Sequence, residues 1–446
     1  MTDALEEAQN LYLQGKYRES LAAFEKIIDD SEDEEEEGIA RGMAFYVRSS
    51  FFPGSQPDFE KIMENLLRGL ELESPLIAAH TMLHFPNYAN FGDSEEVLED
   101  LRCLADEGNI AALNLMGALY VSGVLVEKDL HEALKWLLKG AEKGDPRSMM
   151  DAASVYDYPD FDGADDEKSE TLLRKSADAG YPEALYSLGR DYYEGVHEER
   201  DIRKAYELME RAAKAGYSVS AVDMWEQYLD NGGEIEEALP DISEDKLLTY
   251  LKKAADLMND DAVYDLGQYY SINGDIRNAE KYLKQAMDMG NTDAQVELGG
   301  LYIFDKKSEK DHKKGISLLK EAAKEGNGNA LSTLGACYLQ GDGVKMNRKE
   351  AVKYLKKAVE AGSAEGMTLM VQVSLMDGKK KDAVKYAKMA ADLGEPHGQF
   401  VLGSFYLMGE GVPENRQTAV FYLRSAAMQG VEEAQDLLNR INLGLV

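Results

Sequence analysis

The chain has 446 residues, 44% of them hydrophobic and 9% aromatic, and its 49 basic residues stand against 83 acidic ones for a formal net charge of −34. That apolar content is enough to bury a continuous seam, which excludes a disordered polymer, and a field of that sign repels phosphate backbones and anionic lipid, which sets nucleic acid and membrane surfaces aside as partners. No window reaches the run of about 18 apolar residues that a spanning helix needs, and the acidic opening MTDALEEAQN lacks the basic and apolar parts of a secretory leader, so the expectation is a soluble cytoplasmic protein.

In chain order, EAQNLYLQGKYRESLAAFEKII, residues 7–28, places apolar side chains at helical spacing on both sides of Gly15 and predicts a helical hairpin. The acidic run SEDEEEEG, residues 31–38, follows as a solvated loop or frayed helix start. His80 and His84 have the i, i+4 spacing of a metal pair on a helix. They occupy seam positions held elsewhere by Leu or Met and by Tyr, so a half-buried core pair is expected and no metal.

From Gly108 the chain repeats itself. An Ala-x-x-Gly tail or a near relative returns at Gly144, Gly180, Gly216, Gly290, Gly326, Gly362, Gly394 and Gly430, mostly in steps of 36 residues, a period that signals stacked helix pairs. The pattern is clearest in ALSTLGACYLQGDGVKMNRKEAVKYLKKAVEAG, residues 330–362, and recurs at 184–216 and 398–430. The loop YDYPDFDGADDE, residues 156–167, sets Asp160, Asp162 and Gly163 in the relative positions of a calcium loop, but Tyr158 and Ser169 stand where its first and last acids belong. LDNGGEIEEALPDISED, residues 229–245, lengthens one unit to about 42 residues, and Pro240 predicts a break with a hinge there. Tight turns at Asn273-Gly274-Asp275 and Asp377-Gly378-Lys379 shorten two units to 32. Charge is uneven: residues 1–300 hold 28 basic and 65 acidic residues, and residues 301–390 hold 18 and 11. The lysines at 379–381, 385 and 388 read as a solvated face. Cys103 and Cys337 lie in non-corresponding places, and no disulfide is expected.

Leu334, Gly335, Tyr338, Gly341, Gly343, Val344, Ala351, Tyr354, Lys357 and Ala358 form a pattern that resembles the Sel-one-like repeat family, over residues 76–446 in about ten units. The family glycine stands at Gly117, Gly189, Gly267, Gly299, Gly335 and Gly403, with Tyr120, Tyr192, Tyr270, Tyr302, Tyr338 or Tyr406 three residues on. A missing Cβ lets the paired helix approach closely; Thr81, Ala153, Trp225 and Val371 replace it in four copies. Ala8, Leu11, Gly15, Tyr17, Ser20 and Phe24 resemble the tetratricopeptide pattern, which makes residues 1–75 a cap before the array. The resemblance implies an all-α fold, a right-handed α-solenoid of stacked antiparallel helix pairs, and protein-interaction and adaptor roles.

Gly-x-Ser-x-Gly, Walker-type and Cys-x-x-Cys motifs are absent from the sequence, so no catalytic residue and no cofactor is expected. In the resembling families the first helices line the concave side, which would place Tyr186, Arg190, Tyr193, Tyr264 and Gln268 in a groove. Tyr and Arg dominate binding hot spots because they desolvate large areas with few rotors to freeze. The expected function is therefore a non-enzymatic adaptor that holds a protein or peptide of basic character. The alternatives are a regulatory or host-directed bacterial repeat protein and a hydrolase acting on a small ligand. The charge asymmetry also allows head-to-tail self-association.

Overall fold

The computed structural model describes residues 2–51, 56–85, 93–159, 161–196, 199–304, 308–443 and 445, with the side chains of 56–60 left aside. Among the described residues there are 25 helices and no strand. The chain divides into two compact units, Met1–Ala262 and Val263–Val446.

The first unit opens with α1 (Asp3–Leu13), α2 (Tyr17–Asp30), α3 (Glu34–Phe51), α4 (Gln56–Glu71), α5 (Pro75–His84) and α6 (Ser94–Asp106). It continues through α7 (Ile110–Ser122), α8 (Leu130–Glu142), α9 (Pro146–Tyr156), α10 (Asp166–Asp178), α11 (Pro182–Glu194), α12 (Ile202–Lys214), α13 (Ser218–Ala238) and α14 (Glu244–Asp256). The boundary between the units falls within α15 (Asp260–Ile272), after which come α16 (Ile276–Asp288), α17 (Thr292–Phe304), α18 (Glu309–Lys324), α19 (Gly328–Gln340) and α20 (Arg348–Glu360). The chain closes with α21 (Ala364–Met376), α22 (Lys380–Asp392), α23 (Pro396–Met408), α24 (Arg416–Met428) and α25 (Glu432–Asn442).

First helices pack on the second helices that follow them, and in the copies that keep the family glycine the seam is set by that one missing side chain. A Cβ on Gly117, Gly335 or Gly403 would fall 2.4 Å from Leu137, 2.4 Å from Leu355 or 2.9 Å from Leu423. The leucine of the second helix thus sits in the space the glycine leaves. The turn that closes the Gly335 helix pair uses glycine for a different reason. Gly362 has φ +81° with no atom within 4 Å of its missing Cβ, so it serves the left-handed turn that lets Ser363 N–H reach Ala358 O at 2.9 Å. Opposite the seam position a small residue recurs: Ala133, Ala205, Ala279, Ala351 and Ala419 face a glycine, Ala383 faces the copy with Val371, and all are fully buried. In the α17/α18 pair that residue is Gly315, whose missing Cβ leaves room for Gly299 O, 2.5 Å from where it would stand.

Second helices start on polar caps. Asp129, Asp165, Asp201, Asp275, Asn347 and Asn415 each accept from backbone N–H groups of the turn they open. Such a cap contributes about 1 kcal/mol. The acidic run after the first hairpin does not stay a loop: Glu34–Glu37 form the first turn of α3, where negative charge complements the helix dipole, and Glu37 pairs with Arg41 at 2.8 Å.

The N-terminal hairpin reaches far along the chain. Gln9 Nε2 donates to Gly108 O at 3.1 Å while its Oε1 accepts from Ile110 N–H at 3.0 Å. Tyr12 and Tyr46 hydroxyls donate to the two oxygens of Asp145 at 2.7 and 2.9 Å, and Tyr17 donates to Ala179 O at 3.1 Å. Asp145 itself caps α9 through Ser148 N–H. Tyr17 stacks on Phe51 at 3.7 Å, and Phe51 meets Tyr181 edge-on at 5.8 Å. Helices α1 to α3 therefore lie on the N-terminal ends of α7, α9 and α11 and share one core with them.

The insert at 229–245 is helical up to the break expected at Pro240: α13 kinks at Asn231, whose φ of −131° is non-helical, runs on to Ala238 and stops before Pro240. Ile235, fully buried, anchors the extension, and Arg200 Nη2 and Arg203 Nη2 hold it through Glu234 at 3.0 Å and Ala238 O at 2.7 Å.

Candidate functional site

Three of the five groove residues stand on α11, where PEALYSLGRDYYE places Tyr186, Arg190 and Tyr193 at i, i+4 and i+7 on one face, all half-buried. The Arg190 guanidinium donates to Glu194 through Nε at 2.9 Å and to Tyr186 Oη at 3.4 Å, and lies 3.5 Å from Asp223 Oδ2 on α13. These partners, Glu194 first, raise its pKa further. The Tyr186 ring meets Tyr217 at 5.4 Å, and burial pushes its phenol up. Tyr193 carries the Arg200 guanidinium over its ring at 5.2 Å and accepts from Asn231 Nδ2 at 3.3 Å.

The other two lie on α15 and face α17 in the second unit. Gln268 Nε2 donates to Tyr264 Oη at 3.0 Å and to Glu297 Oε1 at 2.8 Å, and Tyr264 Oη donates to the same Glu297 oxygen at 3.1 Å. Burial and then Glu297 hold the Tyr264 phenol well above the usual range.

A shared construction emerges from the two places. A donor on one first helix meets an acid two residues before the seam position of the next: Arg190 with Asp223, and Tyr264 and Gln268 with Glu297. Asn114 Nδ2 does the same with Asp151 Oδ2 at 2.6 Å. Asp151, Asp223 and Glu297 were missed in the sequence, although four copies carry an acid at that place, counting Asp265. The face is negative on the first unit: burial, together with Asp223, Asp261 and Asp230, pushes the Glu226 carboxyl up.

His80 and His84 pack ring to ring at 4.4 Å, and His80 meets Phe45 at 4.7 Å. Burial, with His84 and Arg147 nearby, lowers the His80 pKa to about 3. In the loop read against a calcium site, Asp160 lies outside the described residues, and Asp162 pairs with His131 at 2.8 Å. Among the described residues no group of three or more His, Cys, Asp or Glu side chains is placed to hold a metal ion. No helix of the described residues is long and apolar enough to cross a membrane. Cys103 is exposed and Cys337 buried, both as free thiols.

The family model described as the Sel1 repeat matches residues 110–145, 146–181, 182–217, 260–291, 292–327, 329–363, 377–395 and 396–431. Its matches skip 218–259, which holds the long α13. No curated protein matches the chain. Among solved structures it is similar to c5321, described as a protective antigen present in uropathogenic Escherichia coli strains and displaying an SLR fold. The identity there is 25%, the TM-score 0.58, and 85% of this chain and 82% of that one are covered. It is also similar to a Sel1 repeat protein from Oxalobacter formigenes, at 22% identity and a TM-score of 0.47, covering 82% and 93%. Human IFIT1, solved as a dimer with PPP-AAAA, gives 14% identity and a TM-score of 0.39 over 97% and 96%.

Proposed function

The chain belongs to the Sel1 repeat family, and from that premise we propose that it is a non-enzymatic adaptor binding a protein or peptide segment along the face of its first helices. In the first unit Tyr186, Arg190 and Tyr193 are the contact residues, and in the second Tyr264 and Gln268. The carrying observation is that these side chains are half-buried and already oriented, Arg190 by Asp223, Tyr264 and Gln268 by Glu297, Tyr186 by Tyr217 and Tyr193 by Arg200 and Asn231. Each therefore has little conformational freedom left to lose on binding. The acids around Glu226 favour a basic segment on the first unit and faster association at low salt.

The test is an affinity capture at low and high salt with wild type and the Tyr186→Ala/Tyr193→Ala variant side by side. A partner lost on substitution and weakened by salt, at unchanged melting temperature, supports the reading. A large fall in melting temperature assigns the tyrosines to packing between helix pairs and overturns it. The likeness to a protective antigen favours a second reading, a host-directed bacterial repeat protein. Recovery of the chain outside intact cells would decide for it.

A further inference from the structure

We propose that one edge of the second unit is a second docking surface, which takes an extended acidic peptide segment with an apolar side chain at about every third residue. It is distinct from the five groove residues and stands whether or not they bind.

The last residue of each first helix marks that edge. In the second unit it is Ile272, Phe304, Gln340, Met376 and Met408 on α15, α17, α19, α21 and α23. The four apolar members are 86%, 57%, 72% and 58% exposed. The equivalent position in the first unit, five residues after the seam position, holds Ser122, Tyr158, Glu194 and Asp230, all exposed. In the first unit that fold position is held by a serine and two acids as well as by Tyr158, so packing does not require the apolar residues of the second. A recurring apolar side chain in water at a place that tolerates a carboxylate marks an interaction surface. Two of the four are methionine, whose flexible thioether adapts to varied partners.

The connections after α19 and α21 carry Lys345, Arg348, Lys379 and Lys380, whereas those after α15 and α23 carry Asp275 and Glu410 with Glu414, so the basic part of the edge is its middle, where side chains also reach from one repeat to the next. Arg348 Nη2 donates to Val373 O at 3.2 Å and pairs with Asp377, and its Nη1 lies 3.8 Å from Met376 Sδ. Lys380 reaches Glu410 at 3.1 Å in the following loop. The acids Asp377 and Glu410 are thereby neutralised. Lys345, Lys349 and Lys381 are exposed, and among the described residues none has a carboxylate within 4 Å. Residues 301–390, which hold the three middle positions, carry 18 basic and 11 acidic residues in a chain of net charge −34, so the charge that complements the middle of this edge is acidic.

Spacing selects an extended chain. Neighbouring packed helices lie about 8–10 Å apart, and a strand rises about 3.3 Å per residue, so one apolar side chain per repeat matches one every three residues. A row one side chain wide offers no plane to submerge in a bilayer.

The probe is a fluorescein-labelled (Leu-Asp-Glu)4 peptide, titrated with the full chain and read by fluorescence anisotropy at low salt. Binding is expected for wild type. Phe304→Ser/Met376→Ser/Met408→Ser should weaken it by about tenfold or more, as should Lys345→Glu/Lys381→Glu, whose surface changes leave folding intact. Tyr186→Ala/Tyr193→Ala should leave it unchanged, which separates this edge from the groove. (Leu-Lys-Lys)4 and phosphatidylglycerol vesicles should not bind. No binding by wild type, equal binding by both edge variants, or preference for the vesicles or the basic peptide overturns the proposal.

Discussion

Two neighbouring glycines on α17 separate seam packing from helix propensity. Replacing either by Ala gains about 1 kcal/mol of backbone propensity in a helix interior. At Gly300 the added Cβ meets nothing closer than Phe304 at 3.8 Å, so Gly300→Ala should stabilise by roughly that amount. At Gly299 it would lie 2.9 and 3.0 Å from Leu319 and 3.2 Å from Gly315 O, and a backbone carbonyl cannot rotate away. Overpacking of that kind costs about 1–3 kcal/mol, so Gly299→Ala should range from neutral to about 2 kcal/mol destabilised, and the difference between the two variants isolates the clash. With a urea slope of about 2 kcal/mol/M, the two midpoints should differ by about 0.5–1.5 M in far-UV circular dichroism. Adding Leu319→Val to Gly299→Ala should recover part of the loss. Equal upward shifts for both single variants would refute the close-approach argument.

Tyr46→Phe removes one of the two phenol donors on buried Asp145 and should lower stability by about 1.5–3 kcal/mol. Tyr12→Phe should do the same, and the double variant should deviate from additivity because both act on one carboxylate; additive losses measured by denaturation would count against a shared network. For His80 the folded pKa of about 3 lies below the unfolded value of about 6.5, so the unfolded chain binds the proton first as pH falls. That stability is present above about pH 6.5 and is lost toward pH 3, at up to about 1.4 kcal/mol per pH unit. His80→Gln should therefore lose about 2 kcal/mol less than wild type between pH 6.5 and 5, and parallel pH profiles of thermal stability would show that the ring is not held neutral.

The helix pairs were legible in the sequence because each unit solves one packing problem locally. Gly335 and Leu355 stand 20 positions apart in one unit, so period alone places them together. Gly117 with Leu137 and Gly403 with Leu423 repeat that interval. Contacts between units were not legible. Nothing near Arg190 names Asp223, and nothing near Tyr12 names Asp145, because those pairs depend on how successive first helices stand side by side. The continuation of α13 was hidden for a related reason. EIEEA has good helix formers, but two glycines precede it, and only burial of Ile235 and the clamps from Arg200 and Arg203 make the helix prevail.

The reach of the N-terminal hairpin sets a schedule for synthesis. Tyr17 and its acceptor Ala179 are 162 residues apart, and Tyr12 and Asp145 are 133 apart. At about 5–20 residues per second the ribosome needs roughly 8–32 s to make the second of the Tyr17 partners after the first. Through that interval the apolar faces of Leu5, Tyr12 and Phe24 have emerged while the helix ends that cover them have not. The beginning of this chain is thus made early and finished late, its packing complete only once the N-terminal end of α11 has been made.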